Sequence, residues 1–335
     1  MAYSITECLA AAQFPPGVVN MVMGTGPQCG EVLVSHPDVA LVSFTGSTAV
    51  GHRLARRAAT TLQPLRLELG GKSATILCPD LASSTPKEET ETATAEDPDE
   101  YEKLVPQVVQ QLTSNSGQSC NALSRMLVPR PDQDRVAALI KHCMQQEVVG
   151  DTRRILPQQH KTTTTTNPAI TTSESPQLPT MGPLVNATQY KRVVDLIRTG
   201  IDIDGATLVC GGDDVVPPVT TGKGGGGGYY IPPTLFSHVT NDMVIAQTEI
   251  FGPVLCLIPY DTIEEAIAMT NDTPYGLNNA VVSKDVNYAL RVAAQLKSGM
   301  VRFCIHFLVP VYTSYILRVI VTPFVVVHVD DCVAN

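Results

Sequence analysis

The strongest candidate nucleophile in the sequence is a cysteine in a polar turn. Cys120 lies in residues 115–122 (NSGQSCNA), directly after a stretch with the pattern of a helix. A reactive thiolate needs access to its substrate and nearby N–H donors, and a turn at the end of a helix can provide both. The other cysteines of the chain have no comparable setting, so we expect them to be buried and inert.

A carboxylate at the end of a predicted strand is the candidate general base. Glu68 stands between two leucines in residues 67–73 (LELGGKS) and is followed by two glycines. Burial among apolar neighbours would raise its pKa towards the range that suits a general base. An exposed carboxylate at a strand end is the alternative, and this motif alone leaves both open.

Two further motifs could hold a nucleotide. Residues 44–51 (FTGSTAVG) read as a strand, a glycine turn and the start of a helix, whose free N–H groups suit a phosphate. In residues 249–254 (EIFGPV), Glu249 could accept hydrogen bonds from ribose hydroxyls and the Phe251 ring could lie against a nicotinamide. Each motif taken singly is also an ordinary turn. The glycines of residues 24–30 lack the spacing of the common dinucleotide fingerprint.

Composition narrows the class of protein. The 335 residues are 44% hydrophobic and 16% charged, which predicts a globular chain with a sizeable core. A net charge of −9 argues against a nucleic-acid-binding surface. The nine cysteines form no metal-binding pattern, so we predict a reduced, cytoplasmic protein without a metal. The uncharged run over 303–317 is shorter than the roughly 20 residues of a typical membrane span.

Apolar periodicity predicts two regions of alternating strands and helices. The first region follows a β-α-β-α-β order, which implies a parallel sheet covered by helices. Its predicted elements are an apolar run at 18–22, a helix at 28–35, strands at 39–45 and 65–69, and a helix at 49–61. The second region has a helix capped by Asn186, strands at 254–259 and 279–282, a helix opened by a capping box at 261–264, and a helix at 286–297.

Three polar or glycine-rich insertions interrupt this pattern, and we expect them to map to surface loops. They lie near residues 83–103, 157–180 and 213–228. An apolar tail over 302–335 follows the last predicted helix, and its pattern does not assign it a structure.

Taken in this order, the motifs resemble the aldehyde dehydrogenase superfamily. The resemblance also includes residues 14–20 (FPPGVVN), 182–184 (GPL), 232–235 (PPTL) and 271–277 (NDTPYGL), and it covers about 5–300. It implies an α/β fold with an incomplete, Rossmann-like parallel sheet of the NAD-binding domain over 1–67. A catalytic α/β domain of the aldehyde dehydrogenase type would follow over 68–301.

The resemblance also implies an activity, the NAD(P)+-dependent oxidation of a small aldehyde to a carboxylic acid. Cys120 matches the family nucleophile, which forms a thioester, and Glu68 matches the base that activates the hydrolytic water. NAD is the expected cofactor, with NADP left open. The implied cofactor-binding residues are Gly46, Ser47, Gly51, Leu69, Glu249 and Phe251.

Parts of the family pattern have no counterpart in the sequence, so we expect a truncated family member. The segments that carry the oxyanion-hole asparagine, the adenosine-ribose lysine and the oligomerisation strand are not found, although the family forms homo-oligomers. Two alternatives to a dehydrogenase therefore stay open. One is a catalytically inactive fragment that only binds a partner, and the other is a cofactor-independent thiol esterase that uses Cys120 and Glu68.

Overall fold

The computed structural model describes residues 2–81, 100–152, 178–212 and 228–304. These residues belong to two compact units, one ending at Leu69 and one beginning at Gly70. Most of the three predicted insertions, and the tail beyond residue 304, lie outside the described residues.

The first unit contains a parallel pair of strands joined by a helix. β1 and β2 are parallel, with Thr45 opposite Glu68, and the crossover between them is α3. Alternate side chains of β1 and one face of α3 form a small apolar core, which includes Val42, Phe44 and Leu54. The elements of this unit are α1 (Ala2–Ala11), α2 (Glu31–Ser35), β1 (Val42–Thr45), α3 (Thr48–Ala59) and β2 (Leu65–Glu68).

The apolar run at 18–22 does not form the strand that the β-α-β-α-β pattern predicts. Its residues have no strand assignment, and Val18 and Val22 are 63% and 62% exposed. A strand is stable only when a neighbouring strand pairs with its backbone, and among the described residues only β1 and β2 pair in this unit. The β-propensity of residues 18–22 is therefore not sufficient to form a strand.

The second unit is built on a seven-stranded sheet with the order β5-β6-β7-β4-β3-β8-β9. All neighbouring pairs are parallel except β5 and β6. β3, β4, β7 and β8 are buried along almost their whole length, as expected for a parallel sheet covered on both faces. The strands are β3 (Ala74–Leu77), β4 (Arg125–Pro129), β5 (Thr207–Cys210), β6 (Thr234–Ser237), β7 (Val254–Tyr260), β8 (Asn278–Val282) and β9 (Met300–Cys304).

Helices form a separate apolar core on each face of this sheet. One core contains residues of α6, α8 and α9, and the other contains residues of α4 and α5. The helices are α4 (Glu100–Thr113), α5 (Gln133–Gln145), α6 (Ala187–Asp202), α7 (Val244–Gln247), α8 (Ile263–Asn271) and α9 (Val286–Ala293). The α/β fold class predicted from the sequence is confirmed. Within the residues described, no helix has the length and apolar character to cross a bilayer.

Local capping signals set the starts of two helices. The Asn186 side chain accepts a hydrogen bond from Gln189 N at 2.8 Å, as predicted for α6. The capping box of α8 lies one residue later than predicted: Thr262 Oγ1 accepts from Glu265 N, and the Glu265 carboxylate accepts from Asp261 N.

Residues 100–103 were predicted to belong to an insertion, but they form the first turn of α4. The Tyr101 side chain is fully buried in one of the two cores. The free energy gained by burying the Tyr101 ring outweighs the preference of the neighbouring acidic residues for solvent.

Candidate active site

Five predicted site residues lie together in the first unit, at the carboxyl ends of β1 and β2. Gly46 N donates a hydrogen bond to Glu68 O at 3.1 Å, which joins the turn after β1 to the end of β2. A Cβ atom at Gly51 would lie 2.6 Å from Leu69 Cδ2, so this side chain packs directly on the glycine of α3. Ser47 is the N-cap of the same helix. Ligands of α/β proteins bind at this edge of a parallel sheet.

The start of α3 offers hydrogen-bond donors. The Ser47 hydroxyl accepts a hydrogen bond from Val50 N at 3.4 Å. The first N–H groups of a helix point out of its amino end and have no partner within the helix. Thr48 Oγ1 is buried and has no hydrogen-bond partner among the described residues. The positive end of a helix with an adjacent hydroxyl is chemically suited to a phosphate.

Glu68 is exposed, so of the two alternatives that the sequence leaves open the structure has the exposed carboxylate at a strand end. β2 alternates between half-buried and exposed residues, with Leu65 and Leu67 packed against the small core. Side chains of a strand alternate between its two faces, so Glu68 projects away from that core. As a base, it would act from the surface of its unit.

Cys120 of the second unit follows a backbone segment with unusual dihedral angles. After α4, Asn115, Ser116 and Gly117 have φ values of 52°, 57° and 73°. Left-handed conformations are uncommon for residues with a side chain, and the cost of such strain is met by surrounding contacts. Asn115 Nδ2 donates to Gln118 O at 2.9 Å, and Ser116 Oγ donates to Gly182 O at 2.8 Å.

This strained turn is packed closely against the segment before β7. A Cβ atom at Gly117 would lie 2.2 Å from Gly252 O, so any side chain at this position would clash with that oxygen. Gln118 Oε1 accepts a hydrogen bond from Val185 N at 2.8 Å. The turn that leads to Cys120 is therefore fixed from two directions.

Cys120 itself is half-buried near the amino ends of β3 and β4. Its backbone oxygen lies 2.6 Å from the position that a Cβ atom at Gly71 would take. The next peptide group is held by Asn278, whose Nδ2 donates to Asn121 O at 3.1 Å. By contrast, Cys78 and Cys256 are fully buried, and burial raises the pKa of the Cys78 thiol to about 12.

Glu249 lies against Gly70 and Gly71. Gly71 N donates to Glu249 Oε1 at 3.1 Å, and the other carboxylate oxygen lies 2.2 Å from where a Cβ at Gly70 would be. Burial raises the pKa of Glu249, although the Gly71 N–H, Arg192 and Lys72 all act in the opposite direction. The carboxylate is thus close to the backbone on which Cys120 packs.

Phe251 is held in place through its backbone by α6. Gln189 Nε2 donates to Ile250 O at 3.0 Å and to Phe251 O at 2.8 Å. Phe251 has a φ of 58°, an outlier for an aromatic residue. The half-buried Phe251 side chain therefore extends from a turn whose backbone is hydrogen-bonded to α6.

The structure therefore brings the predicted residues into two groups, one in each unit. Sequence reasoning missed three polar side chains that support the second group: Arg125, Lys72 and Asn278. Arg125 is fully buried, burial lowers its pKa to about 10, and its Nε donates to Lys72 O at 2.9 Å. A polar residue that opens an otherwise apolar strand, as Arg125 and Asn278 do, was the available signal.

The chain belongs to the aldehyde dehydrogenase family, because the sequence profile of that family matches residues 1–86 and 92–306. It is 40% identical over 300 residues to a 3-succinoylsemialdehyde-pyridine dehydrogenase of a Pseudomonas species, covering 90% of this chain and 53% of that protein. It is 34% identical over 302 residues to human retinaldehyde dehydrogenase 3, covering 90% of this chain and 49% of that one.

Solved structures give the same family. A variant of aldehyde dehydrogenase C from Pseudomonas syringae, in complex with NAD+ and octanal, is 37% identical and superimposes with a TM-score of 0.73, covering 92% of this chain and 54% of that one. A Mycobacterium tuberculosis aldehyde dehydrogenase complexed with NAD+ is 35% identical with a TM-score of 0.71, covering 90% of this chain and 52% of that one. The chain spans about half the length of the curated relatives it matches.

Proposed function

We propose that this chain takes part in the NAD+-dependent oxidation of an aldehyde to a carboxylic acid, with Cys120 as the nucleophile. The observation that carries the proposal is the strained turn 115–117, which is packed against Gly252 and leads to a half-buried Cys120. Strained backbone that surrounding contacts fix in place is characteristic of functional sites.

The protein's own residues have distinct roles in this reaction. The Cys120 thiolate attacks the aldehyde carbonyl, and N–H donors of the surrounding turn stabilise the alkoxide that forms. A bound nicotinamide supplies the hydride acceptor, and the acyl group stays on the Cys120 sulfur as a thioester. Glu68 then takes a proton from the water that hydrolyses this thioester.

The residues at the start of α3 fit a dinucleotide. The backbone N–H groups that the start of α3 leaves without partners inside the helix match the needs of a pyrophosphate. Gly46, Gly51 and Leu69 shape the same edge. The proposed roles of Glu249 and Phe251, in ribose binding and nicotinamide contact, rest on the family resemblance and on their fixed backbone. The choice of NAD over NADP and a cytoplasmic location stay predictions from the sequence.

The test is aldehyde-dependent formation of NADH by the full chain. We expect Cys120→Ala to abolish it, whereas Cys143→Ala, at another half-buried cysteine of the same unit, should leave it unchanged. Glu68→Gln should lower steady-state turnover by about 10²–10⁴-fold and leave the first, acylating turnover. NADH formation that survives Cys120→Ala would refute the assignment of the nucleophile.

Two other outcomes have defined meanings. Hydrolysis of p-nitrophenyl acetate without NAD+, lost in Cys120→Ala, combined with no NADH formation, would indicate a thiol esterase. Absence of both reactions in a folded chain would indicate a non-catalytic family member.

A further inference from the structure

The segment 180–185 is bonded to the strained turn that precedes Cys120. Ser116 Oγ donates a hydrogen bond to Gly182 O at 2.8 Å. Gln118 Oε1 accepts a second hydrogen bond from the same segment. Residues on both sides of the glycine in the turn are thus bonded to one piece of chain. The position of this segment therefore limits how far the turn can move.

Backbone hydrogen bonds attach the start of this segment to the chain that follows α5. Thr180 N donates to Val148 O at 2.8 Å, and Gly150 N donates to Met181 O at 3.0 Å. The Met181 side chain is fully buried. The segment is therefore anchored in the body of the second unit.

The side chain of Glu147, directly before this anchor, binds two threonines. Thr113 Oγ1, at the end of α4, donates to Glu147 Oε1 at 3.1 Å and also lies 3.4 Å from Gln110 O. Thr180 Oγ1 donates to Glu147 Oε2 and accepts from Val148 N at 3.0 Å. Hydrogen bonds to a carboxylate are stronger than those between neutral groups. Glu147 thus links the end of α4 to the start of the segment 180–185.

Together these contacts form a closed ring. From Thr113 the chain runs through the turn to Ser116, which is bonded to Gly182. From Gly182 the segment leads back to Thr180, and Glu147 joins Thr180 to Thr113. In a closed network each bond restricts the movement that the others would allow. A turn with unfavourable dihedral angles needs such support from its surroundings.

We propose that Glu147 is a positioning residue for Cys120. Its carboxylate closes the ring that holds the turn 115–117 in its left-handed conformation. A turn that is fixed in advance keeps the thiolate and the neighbouring N–H donors in place for the aldehyde carbonyl. The importance of Glu147 for catalysis rests on the proposed function, whereas the ring and its effect on the turn do not.

Amide hydrogen exchange measures how firmly the turn is held. Gln118 N donates to Asn115 O at 3.1 Å, so exchange of the Gln118 amide reports on opening of the turn. We expect Glu147→Ala to accelerate this exchange at least about tenfold, because two hydrogen bonds to a carboxylate are lost. Mass spectrometry of overlapping peptides that cover 113–123 gives the rate. An unchanged rate would overturn the proposal.

Glu147→Gln tests whether hydrogen bonding is the cause. The amide of a glutamine can accept from Thr113 and donate to Thr180, whose oxygen can accept a second hydrogen bond. This variant should therefore keep most of the protection of the Gln118 amide. Exchange as fast as in Glu147→Ala would contradict the ring.

Glu265→Ala is the matched control. Glu265 is likewise half-buried, and its carboxylate accepts a hydrogen bond from Asp261 N at 2.7 Å at the start of α8. Its replacement should lower the melting temperature about as much as Glu147→Ala but leave exchange of the Gln118 amide unchanged. Equal acceleration by both variants would indicate a general loss of stability and count against Glu147.

A double variant tests whether the bonds act as one ring. Ser116→Ala opens the ring at a different bond, so adding Glu147→Ala should accelerate exchange by much less than the product of the single effects. Fully multiplicative effects would refute the ring. If Glu147→Ala does not fold, Thr180→Val replaces it, because Thr180 is exposed and valine keeps its shape. No acceleration in Thr180→Val would equally overturn the proposal.

A kinetic measurement tests the effect on catalysis. In a chain that forms NADH, Glu147→Ala should slow the first, acylating turnover about tenfold at saturating NAD+. Glu147→Gln should slow it less, and Glu265→Ala should leave it unchanged. An unchanged first turnover in Glu147→Ala would refute the positioning role. A chain that forms no NADH at all would refute the proposed function instead, and the exchange rates would still decide whether the ring holds the turn.

Discussion

Accessibility separates Cys120 from the two fully buried cysteines of the second unit. Cys78 and Cys256 are fully buried, and a thiol with the raised pKa of Cys78, about 12, is almost entirely protonated at neutral pH. We therefore predict that iodoacetamide labels Cys120 at least about tenfold faster than Cys78 at pH 8. Peptide-resolved mass spectrometry of a labelling time course measures both rates. Equal rates would show that the buried segment opens, or that Cys120 is shielded.

Glu249 should make stability depend on pH. Because burial raises its pKa above the ordinary 4.5, protonation is favoured in the folded state. The stabilisation that it provides relative to Glu249→Gln is therefore greatest below about pH 4.5 and is lost as pH rises through the folded pKa. Melting temperatures of both proteins between pH 4 and 8 should show this trend. A difference that grows with pH would have the wrong sign.

Glu68 shows why site residues are harder to predict than site motifs. The motif was recognisable from residue types. Whether the Glu68 side chain is buried or exposed, however, depends on which face of β2 it occupies. The local signal for Arg125 and Asn278 is weak, a polar residue at the start of an apolar strand, and Lys72 lacks even that. Their importance comes from contacts with residues tens to more than a hundred positions away in the chain.

At the scale of elements, the left-handed turn after α4 should be intolerant of side chains. We predict that Gly117→Ala destabilises the chain by at least about 3 kcal/mol or prevents folding, because it combines a positive φ with a contact of 2.2 Å to Gly252 O. Gly205→Ala is the control, since Gly205 has a φ of 68° but open space around it. That variant should cost only about 1 kcal/mol. Urea denaturation measures both, and equal costs would show that the close packing at Gly252 is unimportant.

Element prediction succeeded where a sequence signal and its structural cause are close together. Asn186 begins α6 because its own side chain binds an N–H three residues later. It failed at 18–22, where strand formation needed a partner that β-propensity cannot supply. It also failed at 100–103, where an acidic composition concealed the burial of Tyr101.

At the scale of the whole molecule, ligand binding can be tested without assuming catalysis. A ligand that binds only the folded state raises the melting temperature. We expect millimolar NAD+ to shift the thermal transition of the full chain upward, and Ser47→Pro at the N-cap of α3 to abolish the shift. An unchanged transition of a folded chain would mean that the site at β1 and β2 does not bind the dinucleotide.

The interior position of β3 in the sheet has a consequence for how the chain is made. β3 lies between β4 and β8, and Ala74 N donates to the side chain of Asn279, 205 residues further on. At about 5–20 residues per second, translation takes about 10–40 s to reach the strand that completes its pairing. During that interval an apolar strand has one free edge on the ribosome. Ribosome-bound chains stalled before residue 278 should therefore be cut by protease near β3, whereas chains stalled well beyond residue 304 should be protected. The strand order thus delays completion of the sheet until late in synthesis.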